Sequence, residues 1–205
     1  MNEINKIRNF GLLVFVLPFL AVNLCLILSQ IFPFNLDGNY FLGYKIYHAG
    51  DGTGAAGRPW LIPYFDGSFS ISRVVRVFPN YIIFKPAMFL TVFFIVKYWV
   101  SNKKLFIALN YDKKIIKKFF YFGIFSAICL FLHTVFLGIK IDNDIYKFSR
   151  RFVLLSFIIF EIIAQAYLVY SLIKIKEKLK FHINKKILTI KKYLVSLLIF
   201  VAVIL

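Results

Sequence analysis

Five stretches of this chain are apolar almost without interruption: 10–32, 80–100, 119–139, 152–173 and 193–205. An α-helix needs about 20 such residues to cross a hydrocarbon core of roughly 30 Å. Four of the five runs have that length. Inside hydrocarbon the backbone must satisfy its own polar groups, which leaves helices or closed barrels. The runs are continuous rather than alternating, so the predicted fold class is all-α, an integral membrane helical bundle of about five transmembrane helices. One transmembrane domain takes up all of 1–205. The fifth run, 193–205, is short for a crossing at 1.5 Å per residue, and Lys191 and Lys192 can lengthen it by snorkelling.

The first run is too long for the apolar region of a cleaved leader, and no small-residue cleavage site follows it, so it reads as a retained helix. Pro18 is expected to bend it. The segment 33–79 is the longest that does not span, and it reads as an extracytoplasmic loop. Its 50–57 part is rich in glycine, yet no Gly-Lys-Ser/Thr follows, so a phosphate-binding loop is not indicated. The stretches 101–118 and 174–192 read as lysine-rich loops, the second with the option of an amphipathic helix.

Composition enters through charge. The chain is 60% hydrophobic and carries a net charge of +17. Such a charge suits nucleic acid, but the lysines sit between apolar runs, and no separate basic domain exists to hold a nucleic acid. Their placement is a topology signal instead. The N-terminus and the two lysine-rich loops hold sixteen Lys/Arg (two, six and eight), against nine in 33–79, at Lys85 and in 140–151. The positive-inside rule then puts the N-terminus in the cytoplasm and 33–79 outside. The simple topology and the lack of an Asn-x-Ser/Thr site favour a bacterial inner (plasma) membrane. Cys25 and Cys129 both lie in apolar runs and can pack as small hydrophobes. No disulfide framework is indicated.

Three groups of residues are candidates for chemistry. The first is intramembrane and polar: Asn23, His133, Glu161 and Gln165. A carboxyl near the middle of a span is costly and usually faces a partner or a water cavity. Gln165 follows Glu161 by one helical turn on the same face. A proton-linked or headgroup-binding site is one reading; an interhelical hydrogen bond to a protonated Glu161 is the other. The second group is cationic: Arg73 and Arg76 before the second span, and Arg150 and Arg151 before the fourth. Guanidinium suits bidentate contact with phosphate, so these residues are candidates for lipid-headgroup binding. Simple anchoring of helix starts, with Asn80 as a cap, is the alternative. The third group is the outer-loop motif Asp66, Ser68, Ser70 and Ser72. Asp66-Gly67 reads as a turn, and the serines alternate with Phe69 and Ile71 as in a short strand. A serine nucleophile would need a base such as His48 within reach, and no Gly-x-Ser-x-Gly elbow is present. The three histidines fall at different depths, so no metal site is expected. No cofactor is expected either.

Ser70-Ile71-Ser72, then Pro79, then Ile83-Phe84 opening the next span, resembles the FRAG/DRAM/SFK-type multi-span membrane family. The likeness covers chiefly 60–95 and the order of spans. It departs at Arg73, Val74 and Asn80, where the family often has acidic residues or glycine, and the family has about six spans. The resemblance implies a helical bundle that acts on or with lipids. The expected function is therefore a membrane protein that binds or regulates lipids through its extracytoplasmic loop, with membrane lipids and another membrane protein as partners. A lipid-modifying membrane enzyme and a small transporter or accessory subunit are the alternatives.

Overall fold

A computed structural model describes residues 2–31, 40–41, 44–45, 75, 80–137, 144–175 and 185–204. Five helices account for nearly all of them: α1 (Asn2–Ile31), α2 (Asn80–Ala108), α3 (Lys113–Phe136), α4 (Asp144–Ile175) and α5 (Lys185–Ile204). Two short strands, β1 (Tyr40–Phe41) and β2 (Tyr44–Lys45), pair antiparallel with Tyr40 opposite Lys45. The stretch 68–72, where a strand is predicted, lies outside the described residues.

Four helices, α1 to α4, are long and apolar enough to cross a membrane. Only 17% to 33% of each apolar window is buried inside the protein. Phe15, Phe152 and Ile82 are more than half exposed. Rings and aliphatic chains presented outward at that density belong in lipid, because a water-facing surface rarely tolerates large contiguous apolar patches. The chain is an integral membrane protein. The helix α5 has 20 residues, and Val195 is its buried hydrophobic side chain among the described residues.

The helices run past the apolar stretches that announce them. The lysine-rich 101–118 is not a loop. It is the last turns of α2, a four-residue turn, and the first turns of α3. Lysine is a good helix former, and a helix already nucleated extends at little cost. The stop comes from local turn chemistry. Asn110 takes a left-handed φ of 50°. The Tyr111 N–H donates to the Phe106 carbonyl at 3.1 Å, and the Asn110 N–H to that of Ile107 at 3.0 Å. These two bonds are the Schellman pattern, completed by the Phe106 and Tyr111 rings at 5.4 Å. Asp112 then caps α3, its Oδ1 accepting the Lys114 N–H at 2.8 Å.

The chain forms two compact units. One comprises Met1–Val14, Val92–His133 and Ile141–Leu205; the other comprises Phe15–Thr91 and Thr134–Lys140. In the first, Trp99, Phe106 and Phe119 are fully buried. The ring centroids of Phe119 lie 6.1 Å from Trp99 and 5.3 Å from Phe106. Gly123 lies against the Trp99 indole so closely that a Cβ would fall on the ring. Helix α3 meets α4 through Phe122, which stacks on Tyr167 at 6.2 Å. Helix α5 packs on α4. In the second unit the Asn80 side-chain amide donates to the Cys25 carbonyl at 3.2 Å, and Cys25 Sγ lies 3.5 Å from the Asn80 carbonyl. This pair ties the start of α2 to α1, and both residues are buried.

Replacing Asp112 by alanine is expected to cost about 1 kcal/mol, measured by reversible unfolding in mixed micelles. Gly123→Ala is expected to cost about 1–3 kcal/mol through overpacking on Trp99 in the same assay.

Candidate intramembrane polar site

Glu161 lies in the middle of α4, with apolar residues over most of the two turns on either side. Its carboxyl has two partners. Gln165, one turn further along α4, donates from Nε2 to Oε1 at 2.9 Å. Ser126 of α3 brings its Oγ to 2.6 Å from Oε2. The same Oγ is 2.8 Å from the carbonyl of Gly123. Ser126 is fully buried, whereas Glu161 and Gln165 are half-buried. Gln165 Oε1 is buried without a hydrogen-bond partner among the described residues.

Helix packing sets this geometry. Gly123, Ser126 and Ala127 are the small residues of a Phe-rich helix. Small residues let helix backbones approach, and a polar side chain among them can reach across. Trp99 occupies the space over Gly123 on one flank. Ala127 on α3 and Ala164 on α4 are both buried.

The structure therefore joins Glu161 to Gln165, and adds Ser126. Asn23 belongs to the other unit, where its amide donates to the Phe19 carbonyl of its own helix at 2.7 Å. His133 is half-buried in the last turn of α3. It falls seven residues after Ser126, on the same face and about 10 Å along the axis. Of the cationic candidates, Arg150 is half-buried and Arg151 exposed, in the second turn of α4. Arg73 and Arg76, with Asp66, Ser68, Ser70 and Ser72, lie outside the described residues. Among the described residues no group of three or more His, Cys, Asp or Glu is placed to hold a metal ion.

Ser126 is the residue that sequence reasoning missed. The available signal was Gly123-x-x-x-Ala127, a small-x-x-x-small spacing that marks a close helix contact. A serine one place before the second small residue sits at that contact.

The opposite chemistry gathers at the lysine-rich helix ends of the first unit. Lys103 lies over the Phe120 ring at 4.2 Å, Lys118 over Tyr167 at 5.5 Å and Lys174 over Tyr170 at 4.5 Å. Lys191 of α5 reaches the Tyr98 hydroxyl of α2 at 3.4 Å. Glu3 pairs with Lys6 at 2.9 Å. The ammonium groups themselves lie over the ring faces, as cation–π pairs.

Set against protein-family models, curated proteins and solved structures, the chain has no match. The site stands on its own geometry.

A double-mutant cycle with Ser126→Ala and Glu161→Gln is expected to give a coupling of about 0.6 kcal/mol and at most roughly 1.7 kcal/mol. Zero coupling in membrane-mimetic unfolding would separate the two side chains.

Proposed function

We propose that this integral membrane protein binds or regulates membrane lipids, and that guanidinium groups on its less lysine-rich side take the headgroup phosphate. The observation that carries this reading is the adjacent pair Arg150-Arg151. It stands in the second turn of α4, directly before an apolar run whose first member, Phe152, is 59% exposed. Guanidinium groups at that level meet lipid phosphates, and each charge-assisted bond contributes about 1.5–3 kcal/mol. Arg73 and Arg76 of the segment 33–79 are a second, separate candidate pair for headgroup phosphate in this proposal. The lysine-aromatic ends face the cytoplasm by the positive-inside rule, which puts 33–79 outside. The membrane is the inner membrane of a bacterium. Helix α5 enters the bilayer as a fifth crossing, with Lys191 and Lys192 at the boundary. The likeness of Ser70-Ile71-Ser72, Pro79 and Ile83-Phe84 to the FRAG/DRAM/SFK-type family supports a lipid-related role.

Native mass spectrometry of the gently solubilised protein tests this. Wild type is expected to retain an anionic phospholipid. Arg150→Gln/Arg151→Gln and Arg73→Gln/Arg76→Gln are each expected to lower retention by roughly tenfold or more. Equal retention in wild type and both variants would remove the proposal.

A further inference from the structure

We propose that Glu161 is a proton-binding site within the membrane span, and that rotation of the Ser126 hydroxyl lets the same packing hold both of its protonation states. Ser126 Oγ lies 2.6 Å from Glu161 Oε2 and 2.8 Å from the Gly123 carbonyl. A hydroxyl has one hydrogen to donate and two lone pairs to accept with. With the carboxyl protonated, the Glu161 O–H donates to Ser126 Oγ, and the Ser126 O–H donates to the Gly123 carbonyl. With the carboxyl ionised, the Ser126 O–H turns to Oε2. The Gly123 carbonyl then keeps its own helical partner, the N–H four residues on. Gln165 Nε2 donates to Oε1 in either state, at 2.9 Å.

In neither state is the carboxyl or the Ser126 hydroxyl left with a hydrogen that lacks an acceptor. The carboxylate is met by two donors, and 2.6 Å suits a charge-assisted O–H···O⁻ bond. The acid is met by one donor and one acceptor. The change between them is a turn about the Ser126 Cβ–Oγ bond, with no movement of a helix. A carboxyl whose only task is to hold α3 to α4 has no need of the second arrangement. An ionisable group at this depth is expensive, and those found there commonly serve proton or ion movement.

Other titratable groups stand on the surrounding elements: Lys118, Cys129 and His133 on α3, Tyr167 on α4, and Lys191, Lys192 and Tyr193 on α5. Lys118 lies over Tyr167 and Lys191 reaches Tyr98. The hydrogen bonds of Glu161 go to Ser126 and Gln165.

Infrared difference spectroscopy of the full chain in lipid, across a pH series, tests the proposal. Wild type is expected to show a carboxylic-acid C=O band that grows as pH falls and is missing in Glu161→Gln. In Ser126→Ala the band is expected at higher frequency, because the acid has lost its hydroxyl acceptor. Ser126→Thr keeps the hydroxyl and is expected to restore the wild-type frequency, which a general packing defect would not do. The proposal is overturned if no Glu161-dependent band appears at any pH. It is equally overturned if the band has constant intensity throughout, or the same frequency in Ser126→Ala. Failure of the lipid-retention experiment would leave this spectrum unchanged, since the arginine variants do not touch the site.

Discussion

The contact between Trp99 and Gly123 sets much of what can be described here. An indole is the largest side chain, and it rests where a Cβ at position 123 would collide with it. That absence of a side chain brings α2 and α3 together inside the first unit. The same stretch of α3 then presents Ser126 to Glu161 of α4. Between helices in lipid there is no hydrophobic force comparable to that in water, because acyl chains are as apolar as leucine. Close packing and the occasional hydrogen bond must do the work. Here the packing comes from Trp99 on Gly123 and Phe122 on Tyr167, and the hydrogen bond from Ser126 to Glu161.

Polar groups follow from that packing rather than competing with it. Glu161 is tolerated in α4 because Ser126 and Gln165 reach it. Asn80 is buried because the Cys25 carbonyl accepts its amide. At the helix ends the lysine ammonium groups lie over aromatic rings, whose faces attract the charge. Phosphate contact and proton binding are proposed at different residues of α4, Arg150-Arg151 and Glu161, so the two proposals can fail independently.

Where the reading of helix ends from hydropathy differed from the structure, the cause is specific. Hydropathy marks where the chain leaves hydrocarbon. It does not mark where the hydrogen-bonded ladder stops. The lysines of 101–118 leave the apolar run and remain helical, and the break falls at Asn110 and Asp112. Asn at a left-handed position followed by an Asp cap is a legible stop signal, but it needs to be looked for at the residue level.

The sequence by itself determined the class of object: apolar runs of crossing length, helical because hydrocarbon leaves the backbone few other choices. It also determined that Glu161 and Gln165 share a face, because four residues make about one turn of any α-helix. Only the tertiary structure decided that Ser126 completes the group, that Trp99 rests on Gly123 and that Asn23 bonds to its own helix. Helical periodicity says which side chains on one helix lie together. It carries no information on which face of a neighbouring helix will meet them, since that depends on the sizes of side chains far apart in the chain.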